Sequence, residues 1–495
     1  MGKAGEGMEK VDVLVIGAGV LGCFAARSLS RYKLEVAVLE QREDVCTGIS
    51  RANTGIIYQG YDQHPGSLKA ALCVRASGGF PALCRELDVA YRKCGLLMAS
   101  FGPRGDRSLE KKRRQGEANG VEGLRILSGS EVYALEPRLR GGILRALYAE
   151  NTFTVNPWEL GIAAFENARK NGVDFRFGEK VVGIERDRGA FLVRTEERTF
   201  RAPRVLCCAG MDSDRLWETA NRPRIRIRPL AADYLVFDTR AGEWLSHVLS
   251  VEPEEKGDGI TLVPTVDGNI LAGPTRRAVR GEPDGSTDGD GLRELREKTA
   301  RLLPGLPMDL IIRSFASARP NPYALEEDGS LSPESIRDFE ILEEDGFYAL
   351  VGIKTPGLTC AHELGEYMTD RIVRSFETAP EINRAYDPFR KAIPRAARLL
   401  EEDIGGLEAL PPAYREIVCR CRGVSRGEVM EAIRRGAATV DGVKRRTGAG
   451  MGRCQGGVCM EKILHILSEE TGLDPRRITK DGGESRILAP EREGR

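Results

Sequence analysis

The chain has no excess charge of either sign: 74 Lys and Arg stand against 74 Asp and Glu. A global electrostatic attraction to nucleic acid or to an acidic membrane is thereby excluded; a local basic patch is not. Long apolar runs are also missing. No window reaches the 18 apolar residues of a membrane-spanning helix, and Met1 to Lys10 is polar and Gly-rich, without the apolar core of a signal peptide. These absences predict a cytoplasmic protein with no transmembrane segment and no nucleic-acid partner. Any peripheral attachment at the inner face of a membrane is left to a partner. Length excludes a single compact core: 495 residues suggest three or four units. Composition, at 41% hydrophobic and 30% charged, is that of an ordinary globular protein.

Cysteine is plentiful, with 12 residues, although disulfides are disfavoured in a reducing compartment. Cys23, Cys46, Cys73, Cys84, Cys94, Cys207, Cys208 and Cys360 are scattered and read as small buried hydrophobes. The other four form a pattern, Cys419-x-Cys421 and Cys454-x4-Cys459, separated by 32 residues. Four thiolates at such spacing suit an iron–sulfur cluster or a structural zinc. Zinc ribbons use C-x-x-C knuckles, which this pattern is not.

At the other end, the apolar run Val11 to Ile16 leads directly into Gly17-Ala18-Gly19-Val20-Leu21-Gly22. A helix-forming stretch from Cys23 to Arg31 follows, then a second apolar run, Leu34 to Leu39, ending in Glu40. Gly17 permits a tight turn, Gly19 lets the backbone approach a pyrophosphate, and Gly22 lets helix and strand pack closely. The helix N-terminus offers free N–H groups to phosphate oxygens. Glu40, 18 residues beyond Gly22, is placed to bind a ribose. The motif alone does not choose between FAD and NAD.

The segment Ser50-Arg51-Ala52-Asn53-Thr54-Gly55, with Tyr58 and Gly60 beyond it, resembles the flavin-contacting stretch of the D-amino-acid oxidase superfamily. Arg204 to Cys208 with Ala209-Gly210 resembles that superfamily's second flavin segment. Gly352 to Thr359, with Gly357 and Leu358, resembles its last. The resemblance implies FAD, held by Gly17, Gly19, Gly22, Glu40, Ser50, Asn53, Thr54, Gly55, Val181, Ala209, Gly210, Gly352, Gly357, Leu358 and Thr359. Pro264 to Thr275 is similar to a stretch of its glycerol-3-phosphate and 2-hydroxy-acid dehydrogenases. The cysteine pattern, with Thr447-x-x-Gly450-Met451-Gly452, resembles bacterioferritin-associated ferredoxin domains. It implies a [2Fe-2S] cluster on Cys419, Cys421, Cys454 and Cys459.

The combination resembles the large subunit of anaerobic FAD-dependent glycerol-3-phosphate dehydrogenases. It implies an α/β fold: a Rossmann-like FAD-binding domain, an antiparallel-sheet substrate domain and a small helical [2Fe-2S] domain. The oxidoreductase is expected over 10–395. FAD-binding pieces would lie near 10–75, 150–220 and 335–390, and the substrate domain near 76–149 and 221–334. A linker is expected over 396–415, the ferredoxin-like domain over 416–475, and a tail over 476–495, disordered from 480.

The resemblance implies oxidation of a small anionic substrate, sn-glycerol 3-phosphate, by hydride transfer to flavin N5. Electrons would pass to an acceptor subunit or quinone-linked partner. A 2-hydroxy acid such as L-2-hydroxyglutarate, or proline or hydroxyproline, stays open as substrate. So does an electron-transfer subunit without a substrate of its own. Arg319 and Lys354 are the candidate anion ligands. Tyr58 stands where many relatives carry histidine, and a phenol is a poorer base. His64 and His362 are further candidates for the base.

Overall fold

The computed structural model describes residues 8–252, 259–279 and 285–489. The β-branched run after Gly-rich residues 1–7 forms the buried strand Val13–Ile16, at the centre of a six-stranded sheet. Its neighbours on one side are Val36–Glu40 and Asp174–Phe177, and on the other Arg204–Cys207, Phe347–Val351 and Glu340–Glu344. All pairings are parallel except the last. Parallel strands covered on both faces read as continuous apolar runs, as Val36–Glu40 and Phe347–Val351 do.

The helix Val20–Leu29 lies on one face of the sheet, packed between Pro157–Lys170 and Ala361–Arg374. Gly365 makes the second crossing close: a Cβ there would stand 2.8 Å from the carbonyl carbon of Phe24. The other face is covered by a four-stranded sheet, whose Phe191 and Phe200 share a core with Leu14, Trp217 and Phe347. The stretch that follows the helix Pro157–Lys170 forms two strands, Asp174–Phe177 and Val181–Asp187. Gly178, at φ +73°, breaks the run.

Between these pieces the chain builds a large sheet around two long antiparallel strands, Ile225–Phe237 and Ile311–Leu325. It continues through Ile270–Gly273, Thr261–Pro264, Val248–Val251, Leu96–Ser100, Arg145–Ala149 and Leu124–Ser128. The sheet is not wholly antiparallel, because Val248–Val251 pairs parallel to Leu96–Ser100. Those two strands come from separate stretches of chain, which no hairpin joins. The division expected near residue 75 falls inside the helix Leu68–Leu87. Phe80, Leu83, Cys84 and Leu87 share the core of the nucleotide-binding helices, so the whole helix sides with that unit.

Residues 396–415, expected as a linker, fold into the helices Ala396–Glu402 and Ile404–Ala409 and the turn Pro412–Arg415. Ala396, Leu407 and Tyr414 give them a small apolar cluster. The C-terminal unit packs Arg426–Arg434, Val440–Thr447 and Met460–Thr471 around Val429, Val443, Ile463 and Leu467. The disorder expected from residue 480 is not found over 480–489. Thr479 bridges Arg486, and Asp481 pairs with Arg445 and Arg51. Residues 490–495 of that tail, and 1–7 of the polar N-terminus, lie outside the described residues. Among the described residues no helix is long and apolar enough to cross a membrane.

The crossing at Gly365 yields a direct test. Gly365→Leu forces the helix Ala361–Arg374 away from Val20–Leu29 and should cost about 1–3 kcal/mol. Chemical denaturation reads this as a lower midpoint at unchanged slope; an unchanged midpoint would show that the crossing is loose.

Candidate functional site

The glycine turn is built as a cradle for a dinucleotide. Gly17 has φ +97°, and a Cβ there would stand 2.7 Å from the Cys208 carbonyl oxygen. A Cβ on Gly22 would stand 1.9 Å from the Gly17 carbonyl oxygen. The segment ending in Ala209 and Gly210 therefore lies directly against the turn. The Ala18 N–H donates to Glu40 Oε2 (2.8 Å), and the Arg42 N–H donates to Oε1 (2.9 Å). Burial pushes the Glu40 carboxyl up, while these two N–H groups oppose that shift. Ser50 Oγ accepts from the Val20 N–H (3.0 Å) at the start of the helix, where Gly19 also approaches it.

Asn53 closes the next turn, accepting from the Gly55 N–H at 2.9 Å. Gly55, at φ +67°, packs on the Val155 carbonyl. Val181 opens the strand Val181–Asp187 and packs, like Ala209, against the core below the sheet. The turn, its two flanking acceptors and the open space around Gly210 fit FAD.

The substrate side is marked by buried and half-buried positive charge. Arg319 lies on the long strand Ile311–Leu325, opposite Leu230. Lys354 follows the strand Phe347–Val351, and Lys69 lies in the first turn of the helix Leu68–Leu87. Gly352, at φ +63°, brings the Lys354 loop against Pro322. Lys354 Nζ donates to Ser335 Oγ (2.9 Å) and stands 3.5 Å from Asn321 Oδ1. Lys69 Nζ donates to the Arg337 carbonyl (2.6 Å) and lies over the Phe339 ring.

Among the described residues no carboxylate pairs with Arg319, Lys354 or Lys69, and Arg319 Nε is buried without a partner. The nearby Asp338 is engaged by the N–H groups of Leu68, Lys69 and Phe339. Burial lowers Lys354 to about 8, aided by the charges of Lys69 and Arg319. Burial lowers Lys69 to about 8 as well. Both values lie below the ordinary 10.5, so each ammonium weakens the ligand-free fold at neutral pH. That penalty fades as pH rises through about 8 towards 10.5. A bound dianion reverses the sign by holding the protons in place.

Tyr58 joins this group. Its N–H donates to Thr359 Oγ1 (3.1 Å), and Thr359 Oγ1 reaches the Ile56 carbonyl at 3.5 Å. The Gly357 N–H donates to the Lys354 carbonyl (2.8 Å), folding Leu358 and Thr359 over the same place. Burial pushes the Tyr58 phenol well above its ordinary range, only partly opposed by its hydrogen bond with Thr54. That shift favours the protonated phenol and disfavours Tyr58 as a base. His64 is exposed. His362 packs against the Phe24 ring (5.6 Å), and burial lowers its pKa. Lys69 and Arg276 were not legible as site residues: Arg276 lowers Arg319 after the larger effect of burial. Only the folded chain unites them with Arg319.

The four patterned cysteines converge on one loop system. Cys421 Sγ and Cys454 Sγ are 3.6 Å apart, and Cys419 and Cys459 form a second hydrogen-bonded pair. That hydrogen bond and the N–H groups of Gly450, Arg422 and Cys421 lower Cys419 to about 6 against the effect of burial. The N–H groups of Val458 and Gly456 lower Cys454. Gly452 lies close to Cys421, where a Cβ would stand 2.4 Å from the cysteine's own.

Tetrahedral zinc with Zn–S bonds of about 2.3 Å would draw all four sulfurs to about 3.8 Å of one another. Among the described residues, no three of them offer sulfurs within 4.8 Å of each other. Two thiolate pairs, one per iron, fit a [2Fe-2S] cluster better. Cys421→Ala should therefore abolish iron binding and the cluster's visible absorption while the flavin bands persist. Iron analysis that still finds a full complement would remove Cys421 from the ligand set.

Comparison with known proteins agrees with this geometry. Residues 12–371 match the family of FAD dependent oxidoreductases, and residues 417–469 match the BFD-like [2Fe-2S] binding domain. The glycerol 3-phosphate dehydrogenase of Caloramator mitchellensis is 36% identical over 479 residues, spanning 96% of this chain and 98% of that protein. The glycerol 3-phosphate oxidase of Mycoplasma pneumoniae is 28% identical over 72% of this chain and 92% of its own. The solved structure of the L-alpha-glycerophosphate oxidase from Mycoplasma pneumoniae with FAD bound has a TM-score of 0.70 at 27% identity. It covers 78% of this chain and 99% of that one. The glycerol-3-phosphate dehydrogenase from Bacillus halodurans shares the fold, with a TM-score of 0.65 at 17% identity over 94% of this chain and 91% of that one. The chain is an oxidoreductase that belongs to the FAD dependent oxidoreductase family and carries a C-terminal BFD-like [2Fe-2S] binding domain.

Proposed function

We propose that the protein oxidises sn-glycerol 3-phosphate to dihydroxyacetone phosphate. The observation that carries this reading is the set of cations without carboxylate partners, the buried Lys69 and the half-buried Arg319 and Lys354, beside the loop Gly352–Thr359. A phosphate dianion supplies the charge the site lacks. The relatives named glycerol 3-phosphate dehydrogenase and oxidase support the same choice. L-2-hydroxyglutarate would also suit a cationic site, and L-2-hydroxyglutarate dehydrogenases are among the relatives. They match only about half of this chain, against 96% for the first relative.

FAD, when bound, supplies the hydride acceptor. The rest of the work falls to the protein. Arg319 presents a planar fork of donors, suited to two oxygens of one anion. Lys354 is steadied by Ser335 and adds a third donor from the flavin-side loop. Together they fix the distance and angle of the carbon that loses hydride. Tyr58, protonated, is available as a hydroxyl donor within this set. Glu40, Ser50 and the glycine turn hold the nucleotide end of the cofactor. The four cysteines would carry the cluster that takes electrons onward to an acceptor subunit or quinone-linked partner. Such a partner would place the protein at the inner face of the membrane.

The test compares anaerobic turnover of glycerol 3-phosphate, L-2-hydroxyglutarate and proline, with dihydroxyacetone phosphate assayed as product. Glycerol 3-phosphate should give the highest kcat/KM; preference for either other compound would replace the substrate. Arg319→Met should lower kcat/KM for glycerol 3-phosphate by about 100-fold or more. Two charged hydrogen bonds at about 1.5–3 kcal/mol each set that expectation. Unchanged turnover with FAD retained would move the anion site elsewhere.

A further inference from the structure

The C-terminal unit is fastened to the nucleotide unit by buried charges. Asp44 lies in the loop that follows Glu40 and is 2% exposed. Arg446 clamps it with two hydrogen bonds, both 2.7 Å, and Arg445 adds a third at 3.1 Å. Arg445 also donates to Asp481 at 2.7 Å, and Asp481 pairs with Arg51. Burial would raise the Asp44 carboxyl, but the charges and hydrogen bonds of Arg446 and Arg445 outweigh it and hold it below the ordinary carboxylate range.

Both ends of this network lead to a redox centre. On the nucleotide side, Cys46 follows Asp44 by two residues and donates its N–H to the Ala18 carbonyl (2.9 Å), inside the glycine turn. Arg51 adjoins Ser50, whose hydroxyl accepts from the helix start. On the cluster side, Arg445 and Arg446 end the helix Val440–Thr447, and the chain runs on through Gly448 to Cys454. Further polar contacts tie the same loops to the substrate domain: Arg422 with Asp267 (2.5 Å) and Arg313 with Gln455 (2.9 Å).

Buried ion networks are poor sources of stability compared with apolar packing, and their best-attested use is to fix register. Here that reading fits, because Arg445 Nε and Arg446 Nε are buried without partners. An apolar seam would hold the unit as firmly but would let it slide.

We propose that the Asp44–Arg445–Arg446 network, with its outer Asp481–Arg51 pair, positions the cluster domain in one orientation relative to the flavin, so that electrons cross without a domain swing. The residues are positioning residues: they touch neither the substrate nor the reacting atoms. Each transfer removes one electron from the reduced flavin and converts one ferric ion of the cluster to ferrous. The second electron follows after a one-electron acceptor has reoxidised the cluster. The proposal rests on the flavin and cluster assignments, and not on which substrate reduces the flavin.

Asp44→Asn keeps the side-chain shape and removes the charge; Asp481→Asn removes only the outer pair. Glycerol 3-phosphate is mixed anaerobically with the holoenzyme, and the flavin and cluster bands are followed separately. Small-angle scattering gives the radius of gyration of the same samples. In Asp44→Asn, flavin bleaching should stay within about twofold of the parent, cluster reduction should slow by about tenfold or more, and the radius of gyration should rise. Asp481→Asn should fall between the two.

Should Asp44→Asn lose its cofactors, Asp481→Asn alone carries the test. An unchanged rate of cluster reduction in a variant that retains both spectra would overturn the proposal. A parent protein whose scattering already shows a detached domain would do the same. If glycerol 3-phosphate leaves the flavin of the parent unbleached, the substrate reading fails, and the scattering comparison still decides this one.

Discussion

Positive charge buried without a carboxylate partner is the constraint around which the catalytic half of this protein is arranged. Arg319, Lys354 and Lys69 reach one place from three elements far apart in sequence: a long strand, a loop and a helix start. Each is desolvated, and their charges oppose one another. Such an arrangement is costly in the ligand-free chain, and an anion from outside the chain would offset that cost. The two long strands supply the rigidity, since Ile225–Phe237 pairs with Ile311–Leu325 along nearly its whole length. The Gly352 turn and the Thr359 hydroxyl then fasten the flavin-side loop to the same sheet and to Tyr58.

The second half of the molecule depends on charge of the opposite disposition. Asp44 is more deeply buried than Arg319 or Lys354, and it is fully matched by Arg445 and Arg446. The contrast separates two uses of buried charge. Matched charge fixes how domains sit; unmatched charge waits for a ligand. Glu166, shared between Arg390 (2.7 Å) and Arg435 (3.1 Å), repeats the matched pattern at another seam of the same interface. The order of the chain follows from this division. The oxidoreductase unit comes first, the residues expected as a linker form a helical spacer, and the helix Val440–Thr447 is brought back against the loop that follows Glu40.

What was legible in the sequence was local. The glycine turn announces itself because Gly17 and Gly22 must lie against backbone a Cβ would strike, and strand, helix and acid frame them within 30 residues. The cysteines announce themselves because ligands of one cluster come as close pairs on tight, Gly-rich loops. The rest depended on distance in sequence. Lys69 and Arg276 look like ordinary surface cations until the fold sets them beside Arg319. Tyr58 could be named, but only the fold shows the burial that raises its phenol and disfavours it as a base. The boundary near residue 75 was misplaced because Leu68–Leu87 is one continuous helix whose apolar face belongs to the nucleotide unit. The tail beyond 480 looked disordered from its charge, yet that charge is what secures it, through Asp481.

The central claim, that buried cations await a dianion above the flavin, is tested most directly by titrating the oxidised holoenzyme with sulfate, a dianion that cannot be oxidised. The flavin spectrum would report binding from about pH 6 to about pH 10. Affinity should fall as pH passes through about 8, where Lys354 and Lys69 lose their protons. Affinity that stays level across that range, or rises with pH, would contradict the account.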